Sequence, residues 1–361
     1  VPADDAPEAA LIEGIDVFAV RTLTDVVNFL NGELIIEPFR PQDRAAGADT
    51  VVLADFSEIR GQEQVKRALE IAAAGGHNVL MSGPPGSGKT MLARAMPSIL
   101  PPMTINESLE VTKIYSVRGM LPPETPLLRE RPFRSPHHGT SNAGLIGGGS
   151  WPRPGEVSMA HRGVLFLDEL PEFMSSTLEM LRQPLEDRRV SVARASGTVT
   201  FPANFMLIAA MNPCPCGYFG DPVRECRCGS AQIQRYQKKI SGPLLDRIDI
   251  HVEVPRVEYD KLAARRSGET SKEIQTRVTH ARTRQADRLN GSGSLTNADM
   301  TARELESVVQ LDPMGEMMMK NAVTQLSLSP RSYHRVLKLA RTIADLEDSD
   351  AVSAQHLAEA L

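Results

Sequence analysis

The stretch GPPGSGKT, residues 83 to 90, places Gly83, Gly88, Lys89 and Thr90 at the spacing G-x-x-x-x-G-K-[ST], between an apolar run and a helical one. In that setting Gly83, Pro84, Pro85, Gly86, Ser87 and Gly88 form a loop whose backbone N–H groups converge on phosphate oxygens at a helix N-terminus. Lys89 is expected to reach the β- and γ-phosphates and the Thr90 hydroxyl to take Mg²⁺. A chance match in a chain of this length is on the order of one in a hundred before context is counted. The expected ligand is a nucleoside triphosphate.

A second run, VLFLDE at 164 to 169, ends four apolar residues on two carboxylates. A buried strand would deliver both to the carboxyl edge of a sheet beside the loop, with Asp168 holding Mg²⁺ through water and Glu169 polarising the attacking water. An acidic pair closing a strand is as often structural as chemical, but the phosphate loop makes hydrolysis the stronger reading. The third run, FMLIAAMN, ends on Asn212, an amide able to orient the lytic water.

All four cysteines, Cys214, Cys216, Cys226 and Cys228, fall in the short segment NPCPCGYFGDPVRECRCGS directly after that amide. Such crowding means a disulfide knot or a bound metal, and the compartment decides which. No stretch approaches the eighteen apolar residues of a membrane span, and the acidic start VPADDAPEAA lacks the basic and apolar parts of a signal peptide. A cytoplasmic chain is expected, in which thiols stay reduced and four thiolates suit one tetrahedral Zn²⁺. The C-x-C spacing is tighter than the usual gap, so free structural thiols remain the alternative.

These groups need a scaffold. Helical QEQVKRALEIAAAGG, strand HNVLMS, the glycine loop, helix KTMLARAMPSIL and strands GVLFLDE and FMLIAAMN alternate as a buried parallel sheet demands. The fold class is therefore α/β, and after HVEVP at 251 to 255 only helical patterns remain. The expected organisation is a linker or domain tail over 1–50, an ATPase domain over 51–255 and a helical linker and lid over 256–361. The chain begins at Val1, so a fragment or processed form is expected. Residues 1–50 carry ten acids and three bases, and the remainder is close to neutral, so any polyanionic partner must bind at a local patch.

Two segments offer such a patch. Ser116 to Arg162 reads as a long loop rich in Gly, Pro and bases, among them Arg134, His137 and His138; a solvated variable loop is the plainer reading. DRRVSVARASGTVTF, 187 to 201, reads as a hairpin with Arg194 at its tip.

Taken together, the phosphate loop, FLDE, the strand ending in Asn, GPLLDRIDIHVEVP and the helical LSPRSYHRVLKLARTIADL resemble an AAA+ P-loop NTPase of the helix-2-insert clade. RPFRSPHHGTSNAGLIGGGSWPRPGEVSMAHRGVLFLDELPEF with MNPCPCGY narrows the resemblance to the Mg-chelatase-like YifB/ComM family over residues 51–361. The resemblance implies ATP as the nucleotide, Arg247 as an arginine finger acting across a subunit interface, and Arg331 as the sensor-2 arginine of the lid. Read locally, Arg247 would pair with Asp246 or Asp249, and Arg331 would be a helix-cap cation. It also implies a hairpin lining the pore of a homohexamer, an N-terminal domain like an inactive Lon protease that is expected to be absent here or to survive only as the tail LIEGIDVFAVRTLTDVVNFLNGE, and single-stranded or branched DNA as partner, on which a motor of this type promotes branch migration during recombination of incoming DNA. A chelatase-type ATPase that remodels a protein for metal insertion is the second reading, and a non-catalytic ATP-gated scaffold the third.

Overall fold

A computed structural model describes the chain except residues 11–13, 41–53, 122–126, 150–151, 195–196 and 258–267, and the side chains of Glu8, Ala193 and Arg194. Much of the expected linker, the tip of the expected hairpin, parts of the expected basic loop and the start of the expected lid thus lie outside the described residues. The remainder falls into two compact units, Val1–Val52 with Met103–Glu130, and Leu53–Pro102 with Arg131–Leu361. The first holds helices Leu23–Leu30 and Ile105–Arg118, each opened by a threonine capping box, Thr22 with Asp25 and Thr104 with Glu107.

In the larger unit nine strands are present among the described residues: β1 (Val79–Ser82), β2 (Phe133–Arg134), β3 (Gly147–Gly148), β4 (Arg153–Pro154), β5 (Val164–Leu167), β6 (Arg189–Arg194), β7 (Gly197–Pro202), β8 (Met206–Met211) and β9 (Ile250–Glu253). Five of them form a parallel sheet in the order β2-β5-β8-β1-β9, with Val79 opposite Ile208 and Ile250, and Phe166 opposite Ile208. Strands β5 and β8 are buried along their whole length, because both faces of the sheet are covered. Alternate residues sort to the two sides. Met81, Phe166 and Ile208 join a core with Leu69 of α1 (Glu63–Gly75) and Leu92 and Met96 of α2 (Lys89–Ile99), and Leu80, Leu165, Leu167 and Leu207 join a second core.

Ser116 to Arg162 is not one loop. It starts in the last turn of the Ile105–Arg118 helix, supplies edge strand β2, forms the β3–β4 ribbon and ends in the Glu156–Met159 helix. The expected hairpin is present as the antiparallel pair β6–β7, with Arg194 opposite Gly197. It follows a short helix, α3 (Arg182–Asp187).

Past residue 267 the described residues are helical. Helix α4 (Ser271–Arg288), capped by the Thr270–Glu273 box, carries Ile274, Val278 and Ala281 into the core shared with α1 and α2. Helix α5 (Pro330–Leu346) has Ser329 as N-cap and Pro330 in its first turn. Its fully buried Asp345 accepts from Arg341, Arg288 and Asn297 at 2.9, 2.6 and 2.8 Å, so its charge is matched from several sides. Buried His77, just before β1, lies 2.9 Å from the Thr342 hydroxyl of α5, which ties the helical part to the sheet. No helix among the described residues is long and apolar enough to cross a membrane.

Candidate active site

The phosphate loop joins the carboxyl end of β1 to the N-terminus of α2. Gly86 and Gly88 have φ values of +76° and +91°, which L side chains adopt only under strain. Gly83 is needed for a different reason, since a Cβ there would lie 2.2 Å from the Val254 carbonyl oxygen just past β9. Gln62 clamps the same region by donating from Nε2 to the carbonyls of Ser87 and Pro255 at 2.8 and 2.9 Å. No spacing rule marked that residue in the sequence.

Lys89 is 8% exposed, and its Nζ donates to the carbonyls of Gly83 and Pro84 at 2.7 and 2.9 Å and to Asn212 Oδ1 at 3.3 Å. Burial lowers its pKa, and the nearby Asp168 carboxylate opposes that shift. Thr90 Oγ1 donates to Asp168 Oδ2 at 2.8 Å, so the two groups expected to flank Mg²⁺ are adjacent. The Ser87 hydroxyl is buried with no protein partner among the described residues, as suits a loop built to meet phosphate oxygens. Donor set, glycine conformations and orphan hydroxyl all fit a triphosphate with Mg²⁺, which Thr90 and Asp168 would hold and which would supply charge neutralisation at the phosphates.

Glu169 follows β5 with φ +52°, a left-handed conformation that costs a non-glycine residue on the order of 1 kcal/mol. Its backbone N–H donates to Asp168 Oδ1 at 2.9 Å. Thus the strand end holds one carboxylate inward and turns the other outward, where Glu169 is 57% exposed. His138, expected as a DNA contact, stands beside this carboxylate: its Nδ1 lies 3.6 Å from Glu169 Oε2, with the His137 ring 3.9 Å away and Phe173 edge-on. Arg134, another expected DNA contact, closes its guanidinium on Glu156 with bonds of 2.6 and 2.8 Å at the sheet edge. Arg194 closes β6, and its side chain lies outside the described residues.

Directly after Asn212, the Sγ atoms of Cys214, Cys216, Cys226 and Cys228 all lie within 4.8 Å of one another, with the thiols free. Zinc bound to four thiolates at about 2.3 Å sets sulfur atoms about 3.8 Å apart, so this cluster fits one tetrahedral ion. The loop is not isolated from the nucleotide site. Gly217, at φ +85°, passes so close to the phosphate loop that a Cβ there would lie 2.5 Å from Pro85 Cδ.

The two remaining arginines sit elsewhere. The Arg247 carbonyl accepts from Asn78 Nδ2 at 2.9 Å, at the amino end of β1, so about 13 Å of strand separates it from the phosphate loop of its own chain. Its guanidinium donates to the Pro243 carbonyl at 2.6 Å and to Glu186 of α3, not to Asp246 or Asp249. Arg331, in the first turn of α5, lies 3.4 Å from the other Glu186 oxygen. The structure therefore brings Lys89, Thr90, Asp168, Glu169 and Asn212 together at one end of the sheet and Arg247 and Arg331 together at the other.

A family model described as magnesium chelatase, subunit ChlI, matches residues 55–262, and one described as the ChlI C-terminal part matches 268–361. The competence protein ComM of Haemophilus influenzae is 42% identical over 100% of this chain and 70% of its own length. An uncharacterized protein of Escherichia coli, YifB, is likewise 42% identical over 100% of this chain and 70% of its own length. The magnesium-chelatase 38 kDa subunit of Rhodobacter capsulatus is 29% identical over 48% of this chain and 54% of its own.

Proposed function

Because the chain belongs to the Mg-chelatase-like YifB/ComM family of AAA+ ATPases, we propose that it hydrolyses ATP as one copy of a ring, a homohexamer, and couples hydrolysis to movement along single-stranded or branched DNA. The observation that carries this reading is the division of one catalytic set between opposite ends of the sheet. Lys89, Thr90 and Asp168 hold triphosphate and Mg²⁺, Glu169 takes the proton of the attacking water, and Asn212 orients that water. Arg247 and Arg331 stabilise charge on the terminal phosphate held by a neighbouring copy, since they cannot reach that of their own. The four cysteines would hold zinc, which would brace the loop that follows Asn212 and passes against Pro85.

Support for DNA comes from the family resemblance, from a hairpin that opens on Arg189 and ends β6 on Arg194, and from a relative named a competence protein. Branch migration during recombination of incoming DNA is the specific task proposed. The match to magnesium-chelatase subunits favours the second reading, an ATPase that remodels a protein partner for metal insertion. ATPase rate with and without forked DNA separates the two: stimulation supports the DNA motor, and an unchanged rate with no binding to single-stranded or forked DNA rejects it. Mixing tests the divided site. Arg247→Ala and Glu169→Gln copies, each inactive alone, should recover part of the ATPase rate together.

A further inference from the structure

Helix α3 directly precedes the β6–β7 hairpin in the chain, and its residue Glu186 stands between the two arginines proposed to serve a neighbour. One carboxylate oxygen accepts from Arg247, and the other lies 3.4 Å from Arg331. Arg247 differs in exposure from the group that holds it, its side chain being 13% exposed and that of Glu186 53%, whereas Arg331 is 48% exposed. Arg247 Nε is buried with no hydrogen-bond partner among the described residues, so this guanidinium has hydrogen-bonding capacity left over. Arg331 also lines a cleft of about 380 Å³ with Asp246, Asp249, His334, Arg335 and Lys338, where its guanidinium stands among charges of both signs.

The same short segment is tied to the hairpin and to the lid. Arg188, at φ +56°, ends α3 and pairs with Asp299, which is largely buried in the lid's Asn297–Asp299 turn. The next residue, Arg189, begins β6. The root of the hairpin therefore lies three residues from Glu186 along the chain.

We propose that Glu186 is a positioning residue that stands in for the terminal phosphate of a neighbour's nucleotide, holding Arg247 and Arg331 together until that phosphate takes them and then freeing α3 to move the β6–β7 hairpin. This rests on the reading that Arg247 acts on a neighbouring copy. The chemistry is a competition between two oxyanions for the same guanidinium forks. Glu186 carries one charge and is half open to water, so its grip orients the arginines but yields to a phosphate that carries more charge. Arg247, by contrast, is nearly enclosed, so once released its strongest available partner is an anion delivered from outside the chain.

The test uses the full chain and Glu186→Gln, which keeps shape and loses charge, with Glu186→Asp as the conservative variant. Assembly is followed by sedimentation against protein concentration in a non-hydrolysable ATP analogue, and amide hydrogen exchange is read over 189–202 with and without the analogue. Glu186→Gln should assemble at a roughly fivefold lower concentration than the unaltered chain, the scale of one lost surface ion pair. Its hairpin should exchange, without nucleotide, at the rate that the unaltered chain reaches only with the analogue, while Glu186→Asp behaves as the unaltered chain does. Unchanged assembly and a hairpin still protected in Glu186→Gln would overturn the proposal. If Arg247→Ala and Glu169→Gln copies fail to complement, the divided site itself falls; if they complement and Glu186→Gln is silent, only the role of Glu186 falls.

Discussion

Gly217→Ala tests whether the cysteine loop and the phosphate loop act as one body. Gly217 has φ +85°, where an L residue costs about 1 to 2 kcal/mol. The added methyl would also lie 2.5 Å from Pro85 Cδ and 2.7 Å from its Cγ. Ordinary carbon contact begins at about 3.5 Å, so the two loops must part by about 1 Å. The strain acts on folding, and the displacement acts on the loop that cradles phosphate, where Lys89, Ser87 and the glycines act together. We expect a loss of about 1 to 2 kcal/mol in stability and a weakening of ATP affinity of roughly tenfold, which corresponds to 1.4 kcal/mol. The assay is thermal unfolding together with titration of a fluorescent ATP analogue. Gly217→Ala with Pro85→Ala should regain most of the affinity, because the clashing ring atoms are gone, and little of the stability, because the backbone strain stays. Normal affinity in the single variant, alongside reduced stability, would refute the coupling.

Glu169→Gln should bind ATP with near-normal affinity and lose hydrolysis, because the contacts of Lys89, Thr90 and Asp168 survive; turnover near that of the unaltered chain would remove Glu169 from the role of base. Metal analysis should find about one zinc per chain, and its removal by a chelator should lower both melting temperature and ATPase rate through Asn212 and Pro85; a metal-free chain of full stability would refute the staple. Arg134→Ala should cost on the order of 1 kcal/mol of stability by breaking the Glu156 pair, and should leave the salt dependence of DNA affinity unaltered. Flattening of that salt dependence would return Arg134 to the DNA contacts. Arg194→Ala should weaken DNA binding uniformly across sequences while basal ATPase survives; normal unwinding of forked DNA would leave the hairpin a structural element.

What was legible in the sequence was local. Runs such as VLFL and MLIAAM announce buried parallel strands because every residue is apolar, and the structure buries each of them. The phosphate loop and the two carboxylates lie within motifs a few residues long, so their spacing carries their geometry. Strand β2 was invisible because two residues, one of them Arg134, make no periodic pattern; only pairing with β5 defines it. Glu186 meets partners 61 and 145 residues away, and Gly217 meets Pro85 across an even larger gap than the first of these. Such contacts exist only once the chain is folded. His138 looked like a surface cation in a basic stretch, and its place beside Glu169 follows from β2 and β5 being neighbours in the sheet.

If Arg247 and Arg331 serve a neighbouring copy as proposed, the opposite placement of phosphate loop and arginines along β1 also governs how copies would join. A subunit that offers arginines at one end and requires them at the other can associate only head to tail, and such a contact has no stopping point of its own. Whether it yields a closed circle or an open filament depends on the rotation per step. On that reading damage spreads with the same directionality: a copy without Arg247 would keep its own pocket intact and silence the one next door.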